Sequence, residues 1–275
     1  MKQKTSEKSL NKSPSKHSKK QRWVIKAGSQ MVCSGGPLLL RSWAQQIATL
    51  SKKHNVEIIW VTSGAIATAK DKMSTPTSKS VSIHEKQAFS AIGQPIVMEL
   101  YNIALQAEGL RGAQILLTYD DLLNVKRKTN FKNTIETLLS WNIVPVLNEN
   151  DAVATEEIKF GDNDSLSAKV AIHTKADKLI ILTDVEGFYD SNPNNNPKAQ
   201  LISEITTFSK KILNTHGLKV GGQRGTGGMY SKLIAAQIAH KNKIDTHLVK
   251  GDRNQILLDI FSNKKVGTHV KSKKS

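Results

Sequence analysis

Two lysine-containing segments combine residue types that can bind phosphate groups. Lys26 comes directly after the apolar run at residues 23–25 and is followed by Ala27-Gly28-Ser29, so backbone N–H groups and an ammonium can approach phosphate oxygens closely. The glycine-rich residues 225–229 lead into a segment with helical periodicity that carries Lys232 in its first turn. The positive end of this helix and the ammonium of Lys232 would then face the same place. Both segments predict polyanion binding, although each alone is equally typical of a flexible loop with a surface lysine.

Small and polar residues also follow three other apolar runs. They are Thr62-Ser63-Gly64-Ala65 after residues 57–61, Asn148-Glu149-Asn150-Asp151 after residues 143–147, and Asp184-Val185-Glu186-Gly187 after residues 178–183. In an open parallel sheet, ligands bind beyond the carboxyl ends of the strands. Each group alone is also an ordinary turn or cap. Their repetition predicts a ligand-binding crevice at one edge of a sheet.

The elements that would position these residues alternate along the chain. Apolar runs predict strands near residues 23–25, 57–61, 114–118, 143–147, 178–183 and 246–249. Helical periodicity predicts helices near residues 38–54, 85–109, 130–142, 165–176 and 227–243. Near-continuous apolar strands separated by helices indicate an α/β fold with a parallel sheet covered on both faces. Trp43, Trp60 and Trp141 lie in apolar stretches and are expected in the core.

Several common sites are absent from the sequence. It contains no GxxxxGK[ST] loop, no GxGxxG after the first strand and no HRD and DFG pair. The single Cys33 excludes a disulfide framework and a cysteine-rich zinc site, and the histidines show no paired metal-ligand spacing. Phosphate chemistry therefore requires another scaffold.

The formal charge of +17 is concentrated at the two ends of the chain. Residues 1–22 carry eight basic residues and one acidic residue, and residues 263–275 carry five basic residues and no acidic one. We expect a disordered basic tail at 1–21, one domain at 22–270 and a basic tail at 271–275. The tails are candidates for nucleic acid contact or for solubility alone. No apolar run long enough to span a membrane and no secretory signal are present, so we expect a cytoplasmic protein.

The chain resembles the glutamate 5-kinases of the amino acid kinase superfamily over about residues 22–270. The most specific part of the resemblance is the pair Asn148-Glu149-Asn150-Asp151 and Gly161-Asp162-Asn163-Asp164. The other matching motifs, in the family's order, are Lys26-Ala27-Gly28-Ser29, Thr62-Ser63-Gly64-Ala65, Gly93-Gln94, Leu116-Leu117-Thr118, the run from Leu182 to Tyr189, and Gly225-Thr226-Gly227-Gly228-Met229.

The resemblance implies a three-layer α/β/α sandwich with a central mostly parallel sheet and a definite reaction. ATP with Mg²⁺ would phosphorylate the side-chain carboxylate of L-glutamate to L-glutamyl 5-phosphate, the first step of proline biosynthesis. The matching catalytic residues are Lys26, Lys232 and Asp164, and the matching substrate-binding residues are Ser63, Asp151 and Asn163. The matching nucleotide-binding residues are Lys26, Gly28, Thr183, Asp184, Thr226, Gly227, Gly228, Met229, Tyr230, Ser231 and Lys232. Helix N-capping is an alternative role for Asp162 and Asp164, and the metal ligands are not assigned.

The resemblance also implies partners and leaves alternatives. Feedback binding of proline, a homo-oligomer and functional coupling to a glutamyl phosphate reductase are expected. Many relatives carry a C-terminal PUA-type domain, and this chain stops soon after Gly267-Thr268, so we expect the kinase domain without it. The alternatives are an acetylglutamate, aspartate or UMP kinase-like enzyme of the same superfamily, and a basic nucleic-acid-binding protein on a kinase fold.

Overall fold

The structure is a computed structural model that describes residues 20–73, 81–154, 163–193, 195–209, 212 and 228–272. Its described strands are β1 (Gln21–Ala27), β2 (Val56–Val61), β3 (Arg111–Leu117), β4 (Ile143–Glu149), β5 (Lys178–Thr183), β6 (Glu204–Ile205), β7 (Asp245–Lys250) and β8 (Thr268–Val270). They form one sheet in the order β3-β4-β2-β1-β5-β7-β8-β6. Only β8 pairs with its neighbour β7 in antiparallel fashion, and every other described pairing in the sheet is parallel. The predicted mostly parallel sheet is therefore confirmed.

The described helices are α1 (Ser29–His54), α2 (Ala65–Met73), α3 (Ile83–Ala107), α4 (Tyr119–Leu123), α5 (Val125–Ser140), α6 (Asn163–His173), α7 (Met229–Lys241) and α8 (Ile256–Phe261). None of them combines the length and apolarity needed to cross a membrane. The sequence did not predict α2, α4, α8, β6 or β8. The sequence at residues 72–80, KMSTPTSKS, is typical of a surface loop; residues 72–73 belong to α2, and residues 74–80 lie outside the described residues.

Helices cover both faces of the sheet and complete three layers. One core lies between the sheet and α1, α3 and α8, and it contains buried Trp23, Trp43 and Trp60. The other core lies between the opposite face and α4 to α7. The strands in the middle of the sheet read as continuous apolar runs because both of their faces are buried, as for Leu179–Leu182 of β5. The three-layer α/β/α fold is confirmed.

Trp141 corrects one prediction about the core. Whereas Trp43 and Trp60 are fully buried, Trp141 is 66% exposed. Helix α5 ends at Ser140, and its buried side chains are Phe131, Ile135 and Leu139, spaced four residues apart. Position 141 lies off that stripe and caps the helix.

Helix α1 starts nine residues before its predicted beginning at residue 38. Gly36 has φ 56° and ψ −160°, a conformation that interrupts the helix immediately before Pro37. The segment before this kink continues from β1 and brings the first turn of α1 to the carboxyl end of the sheet. The predicted tails lie mostly outside the described residues. β1 begins at Gln21, and the division at 22–270 stays a prediction.

Candidate active site

A cleft of about 540 Å³ lies at the carboxyl ends of the central strands. Residues from β1, β4 and β5 line it, together with the segments that follow β2 and β4. Strand β1 lies between β2, the next strand along the chain, and β5, so the strand order continues in opposite directions on the two sides of β1. Such a change of direction is where open α/β sheets bind ligands. The cleft therefore occupies the position that the sequence predicted.

Four helices begin around this cleft. α1 starts at Ser29 and α2 at Ala65, and both of these first residues line the cleft. α6 starts at Asn163, which also lines it, and α7 contributes Lys232 from its first turn. The unpaired N–H groups and the positive dipole ends of helices favour anions. The backbone thus makes the cleft suitable for a highly charged anionic ligand.

Two lysines and one aspartate form a buried ionic cluster at the cleft. Lys26 on β1 places its Nζ 2.6 Å from Oδ1 of Asp164, and Lys232 on α7 places its Nζ 3.3 Å from Oδ2. Ser231 donates a hydrogen bond of 2.8 Å to the same Oδ2. Asp164 is 0% exposed, and both lysines are buried and line the cleft. The aspartate therefore fixes two ammonium groups next to each other.

The ionic cluster keeps the Asp164 carboxylate charged. Burial alone raises the pKa of Asp164, but the positive charges of Lys26 and Lys232 outweigh burial and hold this pKa below its ordinary value. Asp164 is the second residue of α6, and its carboxylate contacts the lysines and Ser231. The alternative of an N-cap role for Asp164 is therefore not what the structure shows. Two ammoniums and one carboxylate leave a net positive charge.

The side chain of Asn163 is held by a network of amides. Its Nδ2 lies 2.7 Å from the backbone oxygen of Thr62, 2.8 Å from Oγ of Ser63 and 2.7 Å from Oδ1 of Asn148. Asn148 in turn donates to Oε1 of Gln94 on α3 at 2.7 Å. Because three acceptors surround the amide nitrogen, Oδ1 is the atom of this amide that remains to accept from a ligand. Gln94 therefore sets the orientation of Asn148, and Asn148 that of Asn163.

Two glycines allow the close packing behind this network. A Cβ on Gly93 of α3 would lie 1.8 Å from the backbone oxygen of Ala65, so only glycine lets α3 approach the start of α2. Gly64 has φ 102°, and a Cβ there would lie 3.2 Å from Sγ of Cys33. The chain can therefore turn from Ser63 into α2 only with glycine at position 64.

The structure brings most of the residues predicted for the site together. All three predicted substrate residues, Ser63, Asp151 and Asn163, line the cleft, as do Gly28, Thr183, Asp184 and the two lysines. Gly228 precedes α7, and Met229, Tyr230 and Ser231 form the first turn that carries Lys232. Thr226, Gly227 and Asp162 lie outside the described residues.

Lys70 and Lys86 belong to none of the motifs in the sequence, and no motif predicts that Asn148 and Gln94 are linked by a hydrogen bond. Lys70 on α2 and Lys86 on α3 line the cleft, and both are partly buried. The Gly93-Gln94 pair is one of the motifs shared with the family. The structure gives each residue a role: Gly93 allows α3 to pack against the start of α2, and Gln94 accepts a hydrogen bond from Asn148. Lys86 follows the capping box of Ser82 and Glu85, an ordinary helix start that gives no functional signal.

The described part of the chain contains no group of three or more histidine, cysteine, aspartate or glutamate residues placed to hold a metal ion. The carboxylates at the cleft are Glu149, Asp151, Asp184 and Asp164, and the last of these contacts two lysines. This donor set fits an ion held mainly by a ligand's own phosphates, as Mg²⁺ commonly is.

Comparisons with known proteins place the chain among kinases. The model of the amino acid kinase family matches residues 21–250. A glutamate 5-kinase from Hydrogenovibrio crunogenus is 39% identical over 256 residues, which cover 92% of this chain and 67% of that protein. A glutamate 5-kinase from Pseudomonas savastanoi pv. phaseolicola is 40% identical, with 90% of this chain and 68% of that protein covered.

Solved structures support the fold. A UMP kinase from Ureaplasma parvum superposes with a TM-score of 0.59 at 22% identity, covering 92% of this chain and 100% of that one. An isopentenyl phosphate kinase from T. acidophilum gives a TM-score of 0.61 at 15% identity, covering 91% and 100%. At these identities the similarity concerns the architecture alone.

Proposed function

Because the chain belongs to the amino acid kinase family, we propose that it is a glutamate 5-kinase, which transfers the γ-phosphoryl group of ATP to the side-chain carboxylate of L-glutamate. The product is L-glutamyl 5-phosphate, which enters proline biosynthesis. The sequence similarity to two glutamate 5-kinases supports the choice of substrate. The observation that carries the chemistry is the buried cluster of Lys26, Asp164 and Lys232.

The reaction presents an electrostatic problem more than a problem of proton transfer. The nucleophile is a carboxylate, which is already an anion at neutral pH, so no general base is required. It must approach a triphosphate of the same charge, and the site must therefore supply cations and oriented N–H groups where charge builds up. The helix starts around the cleft and the two lysines meet that need.

Lys26 and Lys232 act as the stabilisers of the transferring phosphoryl group, and Asp164 orients them. Each ammonium has three N–H donors, so one can contact Asp164 while the others contact phosphate oxygens. Gly28, Thr183 and Asp184 lie at the cleft with the lysines. In the proposed function these three residues bind the nucleotide together with the segment Thr226–Lys232, as the resemblance implies. In this arrangement the chain positions both reactants and compensates their charge.

The glutamate end of the cleft is formed by Ser63, Asp151 and Asn163. Ser63 accepts a hydrogen bond from Asn163, so its own hydroxyl proton is free to donate to a substrate carboxylate. Asn163 presents Oδ1 as an acceptor, and Asp151 supplies the negative charge that an α-ammonium requires. These roles match the residues that the family resemblance assigns.

Mg²⁺ enters as part of the nucleotide. It would supply positive charge to the phosphate oxygens when bound. Asp184, which lines the cleft and accepts a hydrogen bond from Thr183, is the carboxylate among the predicted nucleotide residues that could hold it. The protein's own part is to hold the lysines and to shape the cleft around the reactants.

Further properties rest on the resemblance alone. They are feedback binding of proline, assembly into a homo-oligomer and coupling to a glutamyl phosphate reductase, and all stay predictions. The cytoplasmic location expected from the sequence also stays a prediction. Nucleic acid contact by the basic tails also stays a prediction, because those residues lie almost entirely outside the described part of the chain.

The proposed activity is tested by measuring ADP release with L-glutamate, L-aspartate, N-acetylglutamate, UMP and isopentenyl phosphate as acceptors. We expect turnover with glutamate alone, and turnover with another acceptor but not with glutamate would refute the proposal. Lys232→Ala should lower kcat by at least about a hundredfold, because one charge stabiliser is removed. Lys241→Ala on the exposed end of the same helix is the matched control and should leave kcat unchanged.

A further inference from the structure

A second pair of lysines lines the cleft apart from the buried cluster. Lys70 lies on α2 and Lys86 in the first turn of α3, and both side chains are partly buried. Among the residues that the structure describes, neither ammonium forms an ion pair. The pKa of the exposed Glu85 on α3 is lowered mainly by hydrogen bonds with Ser82 and to a lesser extent by the charge of Lys70, which lies beyond ion-pair distance. Lys26 and Lys232, by contrast, both contact Asp164. Removing part of the hydration of a cation without supplying an anion is unfavourable, so a partly buried, unpaired lysine in a cleft points to an anionic ligand.

Contacts between elements place this pair next to the predicted glutamate residues. Gln87, the neighbour of Lys86, donates a hydrogen bond of 3.2 Å to the backbone oxygen of Ala154, which ties the first turn of α3 to the turn that carries Asp151. Lys70 lies one and a half helical turns along α2, which begins directly after Ser63-Gly64. Its Nζ is 5.7 Å from the ring of Phe89 on α3. Both lysines therefore border the part of the cleft between α2, α3 and Asp151.

The charges at this end of the cleft are complementary to the ammonium and the carboxylate that the α-carbon of a free amino acid carries. Asp151 and Glu149 supply the carboxylates near this end of the cleft, and Lys70 and Lys86 supply two positive charges. An amino acid bound with its side-chain carboxylate toward Lys26 and Lys232 carries an ammonium and a second carboxylate at its other end. The ammonium requires Asp151, and the carboxylate requires a cation other than the two that are bound to Asp164.

We propose that Lys70 and Lys86 form a cationic subsite that binds the α-carboxylate of the amino acid substrate. The subsite rests on the proposed glutamate 5-kinase function and extends it, because it explains how the cleft selects an amino acid with a free α-carboxylate. Lys86 is the principal ligand, since it lies beside the Asp151 turn, and Lys70 adds charge from α2. The two lysine pairs thus divide the two carboxylates of the substrate between them.

The test compares L-glutamate with its α-amide, in which a neutral carboxamide replaces the α-carboxylate. The variants are Lys86→Met and Lys70→Met, since methionine keeps most of the length of the side chain and removes its charge. In the parent protein we expect kcat/KM for glutamate to exceed that for the α-amide by about tenfold to a hundredfold, the effect of one charged hydrogen bond. In Lys86→Met this ratio should fall to about one to three, because glutamate loses the ammonium that binds its α-carboxylate and the α-amide has no such carboxylate to lose. In Lys70→Met the ratio should fall by a smaller factor.

Lys72→Met is the matched control, because Lys72 is an exposed residue of the same helix α2 and should leave the ratio unchanged. If turnover of the α-amide is too slow to measure, its inhibition constant against glutamate gives the same comparison. An undiminished ratio in Lys86→Met and Lys70→Met, even with lower activity toward both substrates, would overturn the subsite. Absence of glutamate turnover in the parent protein would refute the proposed function instead, so the two failures are distinguishable.

Discussion

Asp164 is the residue on which the geometry of the site depends most. It is fully buried, and it contacts the ammonium groups of Lys26 and Lys232. Because its pKa lies below the ordinary value of 3.8, Asp164 stays ionised throughout the neutral range. The Asp164 carboxylate therefore keeps its negative charge under the conditions in which a kinase would work. Its negative charge offsets the repulsion between the two ammonium groups.

Gln94 acts on the substrate through two other residues, and a substitution there should affect one reactant only. Gln94→Leu removes the acceptor of Asn148, so the amides of Asn148 and Asn163 lose their fixed orientation. We expect KM for glutamate to rise about tenfold, the effect of one or two hydrogen bonds, while KM for ATP stays within about twofold. Steady-state kinetics with each substrate varied in turn measures both values.

Gln94→Glu is the control for this prediction, because its carboxyl oxygen can still accept from Asn148. It should restore more of the glutamate affinity than leucine does. Equal increases in both KM values, with the same loss of thermal stability in both variants, would show that Gln94 has only a structural role.

The same residues show what the sequence could and could not reveal about the site. Lys26, Asp164 and Lys232 were identified through motifs that resemble a family, but they are far apart in the chain, and no local pattern predicts that they meet. Lys86 follows an ordinary capping box and gave no signal. Its position in the cleft depends on the packing of α3 against the Asp151 turn, which only the folded structure contains.

At the scale of elements, the contact between α2 and α3 supports the substrate end of the cleft. A glycine in the interior of a helix is normally about 0.5–1 kcal/mol less stable than alanine. At Gly93, however, replacing glycine by alanine should destabilise the protein, because a Cβ would lie 1.8 Å from the backbone oxygen of Ala65. We expect Gly93→Ala to lower the free energy of unfolding by about 1–3 kcal/mol, measured by urea denaturation. A variant as stable as the parent, or more stable, would show that α3 does not need this close approach.

The strand pair β7 and β8 predicts how stability depends on pH. His247 on β7 stacks on His269 of β8 with ring centroids 4.2 Å apart. Burial first, then the nearby His269 and Lys178, lower the pKa of His247 from 6.5 to about 3, although Asp245 acts in the opposite direction. The unfolded chain thus binds a proton below about pH 6.5 that the folded chain refuses, so stability falls as the pH decreases from 6.5 toward 3.

Replacing His247 should therefore flatten this dependence. Between pH 7.5 and pH 5 the lowered pKa of His247 makes about 2 kcal/mol of stability disappear. Between these two pH values the free energy of unfolding of His247→Leu should fall by about 2 kcal/mol less than that of the parent, because leucine takes up no proton. Urea denaturation at both pH values measures the difference. If parent and variant lose stability equally, His247 is not the source of the acid sensitivity.

The elements that the sequence predicted are those with a strong local pattern. The run at 178–183 coincides with β5, and the predicted helix at 85–109 lies within two residues of α3 at both ends. β6 and β8 have two and three residues, and they form by pairing between distant parts of the chain. Helix α2 was missed because its nine residues alternate small, polar and charged side chains without a clear apolar stripe.

At the scale of the whole molecule, topology brings the chemistry together. The residues that line the cleft span positions 26 to 232, and the carboxyl ends of β1, β4 and β5 and the segment after β2 place them around one space. The charge of the whole chain, +17, is a poor guide to this site, because much of it lies at the ends of the chain. The positive charges that matter are the few lysines held at the cleft.

The most direct test of the account follows an oxygen atom from substrate to product. L-Glutamate labelled with ¹⁸O only in its side-chain carboxylate is incubated with ATP and hydroxylamine, which attacks the acyl carbon and releases phosphate with the bridging oxygen. If the carboxylate held at this cleft attacks the γ-phosphorus, each released phosphate carries one ¹⁸O atom, and Lys232→Ala slows its formation. Phosphate without ¹⁸O would contradict the account, because the side-chain carboxylate would then not be the acceptor.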